Sequence, residues 1–218
     1  MRTGPANTGL SSAAGAIEAL QLLDWKRRIF ALYAEVRGSA DPEAGWRRWR
    51  EVRDELFRSH PSSPLPETER SAYPGVPCFE FDPSARVLAE VEPRPAESRQ
   101  IASSGDEEIA FERIAVARFE LDGAVRELEL YWLTGYGGGL FVPFRDSTSG
   151  ADTYGGGRYL LDTVKGSDLG MNDSRLVLDF NFAYNPSCSY DPRWVCPLSP
   201  PANRLPFAIR AGEKMPDG

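Results

Sequence analysis

Seven short apolar segments, separated by turn-forming residues, limit the folds open to this chain more than any other feature. They are rich in Val, Ile, Leu, Phe and Tyr, which favours strands, and they span residues 79–92, 109–121, 125–133, 140–144, 153–161, 175–184 and 205–210. No long helical pattern lies between them, so neighbouring strands are expected to pair antiparallel. Short strands joined by glycine-rich turns predict a mainly β fold, a barrel-like or sandwich sheet, with the barrel-like form preferred.

Two α-helices are predicted before the strands and are expected to pack against the sheet. In the first, apolar residues follow steps of three and four from Leu22 to Val36, the spacing of a helix with one buried face. The segment Asp41-Pro42-Glu43 then supplies a capping side chain, a proline suited to the first turn and a carboxylate near the positive helix end. The second helix is predicted to end near Phe57, with an inward stripe of Trp46, Trp49, Val52 and Leu56.

The length of 218 residues fits one domain with a short appendage. The small and polar residues 1–12 are predicted to form a flexible tail. The single domain then covers 13–218 and has three parts: a helical part (13–58), a proline-rich connection (59–83) and an antiparallel β part (84–218) that carries the candidate site.

Composition and charge narrow the possible partners. The net charge of −7 opposes binding to phosphate backbones, so no nucleic acid partner is expected. The chain lacks both a run of about 18 apolar residues and a basic start followed by an apolar stretch, so no membrane partner is expected and a cytoplasmic location is predicted. The oligomeric state is unknown from the sequence.

A triple glycine interrupts the predicted strand at 153–161, between Tyr154 and Arg158. Glycine weakens a strand, so something should compensate for it. One interpretation is a bulge or bend that curves the sheet. The other is close approach of the backbone to a ligand, with Arg158 forking onto a carboxylate or phosphate. No nucleotide-binding loop or nucleophile elbow is present.

Polar residues are dense in the loop before this strand, where Arg145, Asp146 and Thr148 lie together. Asp146 and Thr148 are good local turn formers, and a ligand-binding role is the alternative, since loops at the end of a rigid sheet often carry sites. Further along, Asp179 and Asn181 alternate with apolar residues in the predicted strand at 175–184. They are expected on its second face, facing solvent by default or else lining a cavity.

Cys188 and Cys196 lie eight positions apart in a proline-rich loop, and three uses compete for them. They are buried packing groups, the commonest fate of a free cysteine, or a disulfide or redox pair, or ligands of a shared metal. A structural zinc site needs four Cys or His ligands, and the only histidine, His60, is remote, so no metal is predicted. His60 is predicted to be a helix-end cation or a surface residue.

Four strings of residues resemble the bacterial and archaeal family known as domain of unknown function 1684. They are GGGLFVPFRDSTSG at 137–150, TYGGGRY at 153–159, DFNFAYNPSC at 179–188 and CPLSPPANRLP at 196–206. The loop near 93–106 lies outside the resemblance. The resemblance implies a soluble, sheet-rich domain and brings no activity with it.

The main functional hypothesis is a site for a small polar or anionic molecule that needs no cofactor. Its binding residues are predicted to be Arg145, Thr148, Arg158, Tyr159, Asn181, Tyr184 and Asn185. For a hydrolase or lyase, Asp146 or Asp179 would be the base, and Tyr154 or an arginine would stabilise developing negative charge. The alternative is a non-catalytic binding domain braced by Arg145–Asp146 and Arg158–Asp179 ion pairs. A third hypothesis makes the two cysteines a thiol switch.

Overall fold

A computed structural model describes residues 13–135 and 137–216, so the predicted tail at 1–12 lies outside the described residues. Helix α1 (Ala13–Gly38) and helix α2 (Pro42–Ser59) form as expected. Asp41 caps α2, because its carboxylate accepts hydrogen bonds from the backbone N–H groups of Glu43 (3.0 Å) and Ala44 (3.3 Å). The proline-rich connection contains one further helical turn, α3 (Glu67–Arg70).

Seven strands form one antiparallel sheet, which confirms the mainly β fold with two N-terminal helices. They are β1 (Arg86–Ala102), β2 (Glu108–Leu121), β3 (Ala124–Leu133), β4 (Gly139–Phe144), β5 (Arg158–Asp162), β6 (Met171–Asn172) and β7 (Arg175–Asp179). Their order, β5-β4-β3-β2-β1-β7-β6, leaves the sheet open. A closed barrel is therefore not confirmed. One isolated bridge, between Tyr159 and Tyr184, joins the β5 edge to the chain that follows β7.

The strand predictions fail where proline and glycine alter the backbone. Strand β1 begins later than predicted and continues to Ala102, through the expected loop, with a register shift between Pro93 and Glu97. Prolines there interrupt the pairing without ending the strand. The predicted strand at 205–210 does not form. Its backbone instead makes single hydrogen bonds to the 145–147 loop, such as the 2.8 Å bond from Leu205 N to the Arg145 carbonyl.

The core lies between the helices and one face of the sheet, where Trp49 meets Phe182 edge to face at 5.4 Å between ring centroids. In α2 the inward stripe differs from the prediction by one position. Arg53 is buried, whereas Val52 is half-buried. A smaller cluster on the other face contains Ile101, Phe111, Tyr131, Phe141 and Tyr159.

His60 closes α2 as predicted, but it is buried and not a surface residue. Its Nε2 lies 3.2 Å from the Asp24 carboxylate, and this hydrogen bond lowers the pKa of Asp24. Over residues 13–135 and 137–216, no helix is both long and apolar enough to cross a bilayer.

Candidate functional site

Arg158, the residue predicted to bind an anion, is only 1% exposed and is surrounded by protein. One terminal nitrogen donates to the Asp146 carboxylate at 2.7 Å. Both terminal nitrogens also donate to backbone carbonyls of the C-terminal segment (residues 209–214), namely those of Ile209, Ala211 and Glu213. Burial lowers the pKa of Arg158, and the Asp146 charge offsets part of that effect. The Arg158 guanidinium therefore ties the C-terminal segment to the sheet.

The triple glycine lies in a turn before β5 and not inside a strand, because β5 begins only at Arg158. Gly157 has a positive φ of 96°, and a Cβ there would lie 2.6 Å from the Phe144 carbonyl oxygen. A 3.0 Å hydrogen bond from Gly157 N to the Tyr154 carbonyl closes this turn, and glycine is needed there because two backbones pass closely. The register shift between β4 and β5 lies further along, at Leu160, so the triple glycine forms a sharp turn next to the bulge and not the bulge itself.

Asp146 and Thr148 take the turn role. Asp146 is 2% exposed, and one of its carboxylate oxygens accepts hydrogen bonds from the Thr148 backbone N–H (2.7 Å) and hydroxyl (2.5 Å). The other oxygen accepts from Arg158. The ion pair thus joins Asp146 to Arg158 and not to Arg145.

Asp179 and Asn181 are both fully buried, so the expectation that they face solvent is wrong. The physical reason is that β7 has apolar neighbours on both faces, and the chain then turns into a 3-10 helix at Phe180–Phe182. Asp179 pairs with Arg86 at 3.1 Å, not with Arg158. Asn181 bridges Asp179 and the backbone of Asp82. Burial raises the pKa of Asp179.

A cavity of about 70 Å³ lies between the two long helices and the chain that follows β5 and β7. We call it the tyrosine cavity. Its lining includes three of the predicted binding residues, Tyr159, Tyr184 and Asn185. The remaining lining residues are Trp25, Ile29, Tyr33, Arg53, Phe57, Pro64, Lys165, Ser167, Pro186, Ser187 and Tyr190.

Hydroxyl groups converge around the tyrosine cavity. The Ser167 hydroxyl contacts the Tyr33 hydroxyl at 3.1 Å and the Leu160 carbonyl at 3.4 Å, and Tyr184 lines the same cavity. Burial raises the pKa of Tyr33, Tyr184 and Tyr190, so these phenols are uncharged at neutral pH. An uncharged hydroxyl can both donate and accept a hydrogen bond.

Two cations border the same cavity. Arg53 donates to the Glu213 carboxylate through Nε at 2.8 Å and also through Nη2, and its guanidinium lies 5.2 Å from the Tyr184 ring centre. Glu213 also accepts from the Asn185 backbone N–H at 2.7 Å and the Tyr190 hydroxyl at 3.0 Å. Lys165 pairs with Asp162 at 3.3 Å, and its side chain is 54% exposed. Lys165 is thus the cation that solvent and solutes can reach.

Cys188 and Cys196 are brought into hydrogen-bonding contact. Cys188 is half-buried in a 3-10 turn (Ser187–Ser189), whereas Cys196 is buried. The Tyr154 hydroxyl lies 3.6 Å from the Cys188 sulfur. The charge of Arg145 acts on Tyr154, and within the described part of the chain Arg145 Nε is buried with no hydrogen-bond partner. We call Arg145, Tyr154, Cys188 and Cys196 the thiol cluster.

The predicted site residues therefore separate into four places. Asp146, Thr148 and Arg158 lie together in the interior, whereas Asp179 and Asn181 form a second buried group with Arg86. The remaining residues line the tyrosine cavity or join the thiol cluster. In the described ranges, no group of three or more His, Cys, Asp or Glu side chains is placed to hold a metal ion.

Sequence reasoning missed Arg53, Lys165 and Glu213. Arg53 had a detectable signal, because it follows Trp49 by four positions on the inward stripe of α2, and a cation at such a position needs a buried partner. Glu213 had none, since its partner lies 160 positions away.

A family model described as a protein of unknown function, DUF1684, matches residues 71–214. The chain is also similar to an uncharacterised protein of Haloarcula marismortui, whose structure was determined by NMR in solution. The identity is 37%, the match covers 79% of this chain and 93% of that chain, and the TM-score is 0.57. No curated protein matches the chain.

Proposed function

The chain belongs to the DUF1684 family of unknown function, and since membership brings no activity, we propose from the geometry that it binds a small polar molecule in the tyrosine cavity. The observation that carries the proposal is the convergence of uncharged hydroxyls on a partly open cavity with a reachable cation at its border. Tyr33, Ser167 and Tyr184 supply the hydroxyls, and Lys165 supplies the cation. Polar groups that converge on a concave space are typical of ligand sites.

The volume limits the ligand. A buried water needs a cavity volume of roughly 10–15 Å³, and the binding sites of drug-sized molecules have volumes of about 300–1,000 Å³. A cavity of about 70 Å³ therefore suits a molecule of a few non-hydrogen atoms. The positive charge of Lys165 favours small anions over neutral molecules of the same size.

The same geometry supports binding over catalysis. The two carboxylates predicted as bases, Asp146 and Asp179, are outside the cavity lining and accept hydrogen bonds from protein groups. Tyr154 contacts Cys188. A hydrolase or lyase would need a base that faces its substrate, so a non-catalytic binding domain fits these positions better.

We further propose that the protein is a single domain, that it is located in the cytoplasm and that it does not bind nucleic acid. Residues 13–218 would act as one domain, because the cavity is built from both helices and the β part. The ligand would be met in the cytoplasm, with which three unpaired cysteines agree. The net charge of −7 supports the view that nucleic acid is not a partner.

A thermal-shift series with acetate, phosphate and glycerol tests the proposal. Ligand at about 100 times its dissociation constant adds about 2.7 kcal/mol, which raises the unfolding midpoint of a chain this size by roughly 5–10 °C. We expect acetate or phosphate to raise the midpoint of the wild type more than glycerol does.

Matched lysine variants give the control. Lys165→Ala should reduce the shift, whereas Lys26→Ala, which removes the same side chain from α1 away from the cavity, should retain it. The proposal fails if none of the three probes shifts the wild type, or if the two variants respond alike.

A further inference from the structure

The thiol cluster is a second site, distinct from the tyrosine cavity, and its loops are held in place by backbone hydrogen bonds. The Cys196 N–H donates to the Ser104 hydroxyl at 3.1 Å, and the Ser104 N–H donates to the Cys196 carbonyl at 2.9 Å. Cys188 lies in a turn closed by the 3.0 Å bond from Ser189 N to the Pro186 carbonyl. These bonds fix the backbone on either side of the two cysteines, whose thiols act on each other.

Two groups act directly on the Cys188 sulfur. They are the Cys196 thiol and the Tyr154 hydroxyl, whose oxygen lies 3.6 Å from the sulfur. Donors of this kind stabilise a thiolate. The interaction with Cys196 outweighs the opposing effect of burial and lowers the pKa of Cys188 to about 6, so Cys188 is largely a thiolate at neutral pH.

The pKa of Cys196 is shifted in the opposite direction. Its hydrogen bond to Cys188 and its burial both raise its pKa, so it keeps its proton. It is only 4% exposed, whereas Cys188 is half-buried. One sulfur is thus ionised and reachable, and the other is protonated, buried and adjacent to it. This division suits a pair in which one thiol attacks and the other resolves.

Cys78 shows what a packing cysteine looks like in this protein. Its thiol donates to the Val76 carbonyl at 3.5 Å, and burial raises its pKa to about 12. It has no thiol partner among the residues described. The surroundings of Cys188 are therefore specific to that site and not a general property of cysteines in the fold.

We propose that Cys188 and Cys196 form a dithiol that reduces hydroperoxides, with Cys188 as the attacking group and Cys196 as the resolving group. The Cys188 thiolate attacks the terminal oxygen of ROOH, the O–O bond breaks, and Cys188 becomes a sulfenic acid. The leaving RO⁻ takes the proton of Cys196. The Cys196 thiolate then attacks the Cys188 sulfur, the S–O bond breaks, and the departing hydroxide is protonated to water.

The overall step balances. Two thiols lose two electrons and form one disulfide, and the hydroperoxide gains them to give ROH and water. Arg145 and Tyr154 have supporting roles at this site. The Tyr154 hydroxyl holds the Cys188 sulfur by a hydrogen bond, and Arg145 places positive charge beside that hydroxyl. A positive charge and a hydroxyl donor both favour the departure of an alkoxide.

Intact-mass spectrometry of the reduced full chain after one equivalent of hydrogen peroxide tests the proposal. The wild type should lose the mass of two hydrogen atoms, and peptide mapping should find a disulfide between Cys188 and Cys196. Cys196→Ser should stop at a sulfenic acid on Cys188 that dimedone traps. Cys188→Ser should lose its peroxide reaction by at least about tenfold in rate, and Cys78→Ser should match the wild type.

Alkylation of the wild type by iodoacetamide gives a second measurement that needs no variant. Cys188 should react first, with a rate that rises through a midpoint near pH 6, whereas Cys78 should stay unreactive. Tyr154 and Lys165 act on the two sulfurs, and both have a raised pKa, so they keep their charge state over that range. Equal rates at Cys188 and Cys78, or a wild type that forms no Cys188–Cys196 disulfide, would overturn the proposal.

Discussion

Arg158 and Arg53 are both buried, both paired with a carboxylate and both bound to the C-terminal segment, yet their surroundings differ. Arg158 donates to Asp146 and to three backbone carbonyls, and its partners enclose it. Arg53 has one side-chain partner, Glu213, and aromatic rings on its faces, and it borders the tyrosine cavity. The difference shows that burial and pairing do not identify a site. Arg158 is part of the scaffold because backbone acceptors surround it. Arg53 is held by Glu213 at the border of the tyrosine cavity, so the exposed Lys165 is the cation there that a ligand can reach.

The largest effect is expected from Arg158→Ala. The substitution leaves the Asp146 charge buried without its cation and removes the donors of three carbonyls, so the free energy of unfolding should fall by about 3–5 kcal/mol. Urea denaturation measures it. Arg118→Ala is the matched control, because it removes an arginine from an exposed pair with Glu127, and it should change stability little. Similar losses in the two variants would contradict the scaffold role of Arg158.

A smaller loss is expected from Arg53→Met, which keeps much of the packing against the rings. Glu213 loses its cation but still accepts from Asn185 and Tyr190. The expected cost is about 2–3 kcal/mol, that of a buried group left partly unsatisfied. Urea denaturation of Arg53→Met and Arg158→Ala under the same conditions shows which variant loses more free energy of unfolding. A loss for Arg53→Met that exceeds the loss for Arg158→Ala would reverse the comparison.

The helices and most of the sheet could be predicted from the sequence, because local patterns determine them. Alternating apolar residues and turn residues located β2, β3 and β4 to within a residue or two of their ends. The failures at 205–210 and in β1 arise where proline changes hydrogen bonding, since whether such a segment pairs depends on neighbours that are distant in the chain.

The site could be predicted only as a region, since its partnerships are long-range. The sequence placed Arg158 beside a carboxylate but assigned the wrong one. Asp179 pairs with a residue 93 positions away, and no spacing rule connects the two. Strand alternation also assumes one solvated face, which β7 lacks, so burial of Asp179 could not be foreseen.

The buried pair of Asp179 and Arg86 can be compared with the Arg158 pair by varying pH. The Arg86 side chain is 35% exposed, so its charge offsets only part of the cost of burying the Asp179 carboxylate. The pKa of Asp179 is raised above its ordinary value, so the folded state binds this proton more tightly than the unfolded state. The resulting stability is present below about pH 3.8 and is lost as pH rises through the folded value. Asp179→Asn should therefore gain relative to the wild type as pH rises across that window, by at most about 1.4 kcal/mol per pH unit.

Urea denaturation of the two proteins from pH 3.5 to pH 7 measures this difference. Asp168→Asn is a suitable control, since Asp168 is 43% exposed at the side chain, and its difference from the wild type should change little. A stability difference between Asp179→Asn and the wild type that is constant across the range would show that Arg86 compensates fully.

The smallest effect on stability is expected where the functional effect is largest. Lys165 is 54% exposed at the side chain and pairs with Asp162 at 3.3 Å, and exposed pairs contribute roughly 0–1 kcal/mol. Lys165→Ala should thus unfold at nearly the wild-type urea concentration while losing its thermal response to acetate or phosphate. Lys165 would then contribute to ligand binding and not to stability, whereas Arg158 contributes to stability and not to ligand binding. If Lys165→Ala instead destabilises the chain as much as Arg53→Met does, Lys165 belongs to the scaffold, and the border of the tyrosine cavity has no cation available to a ligand.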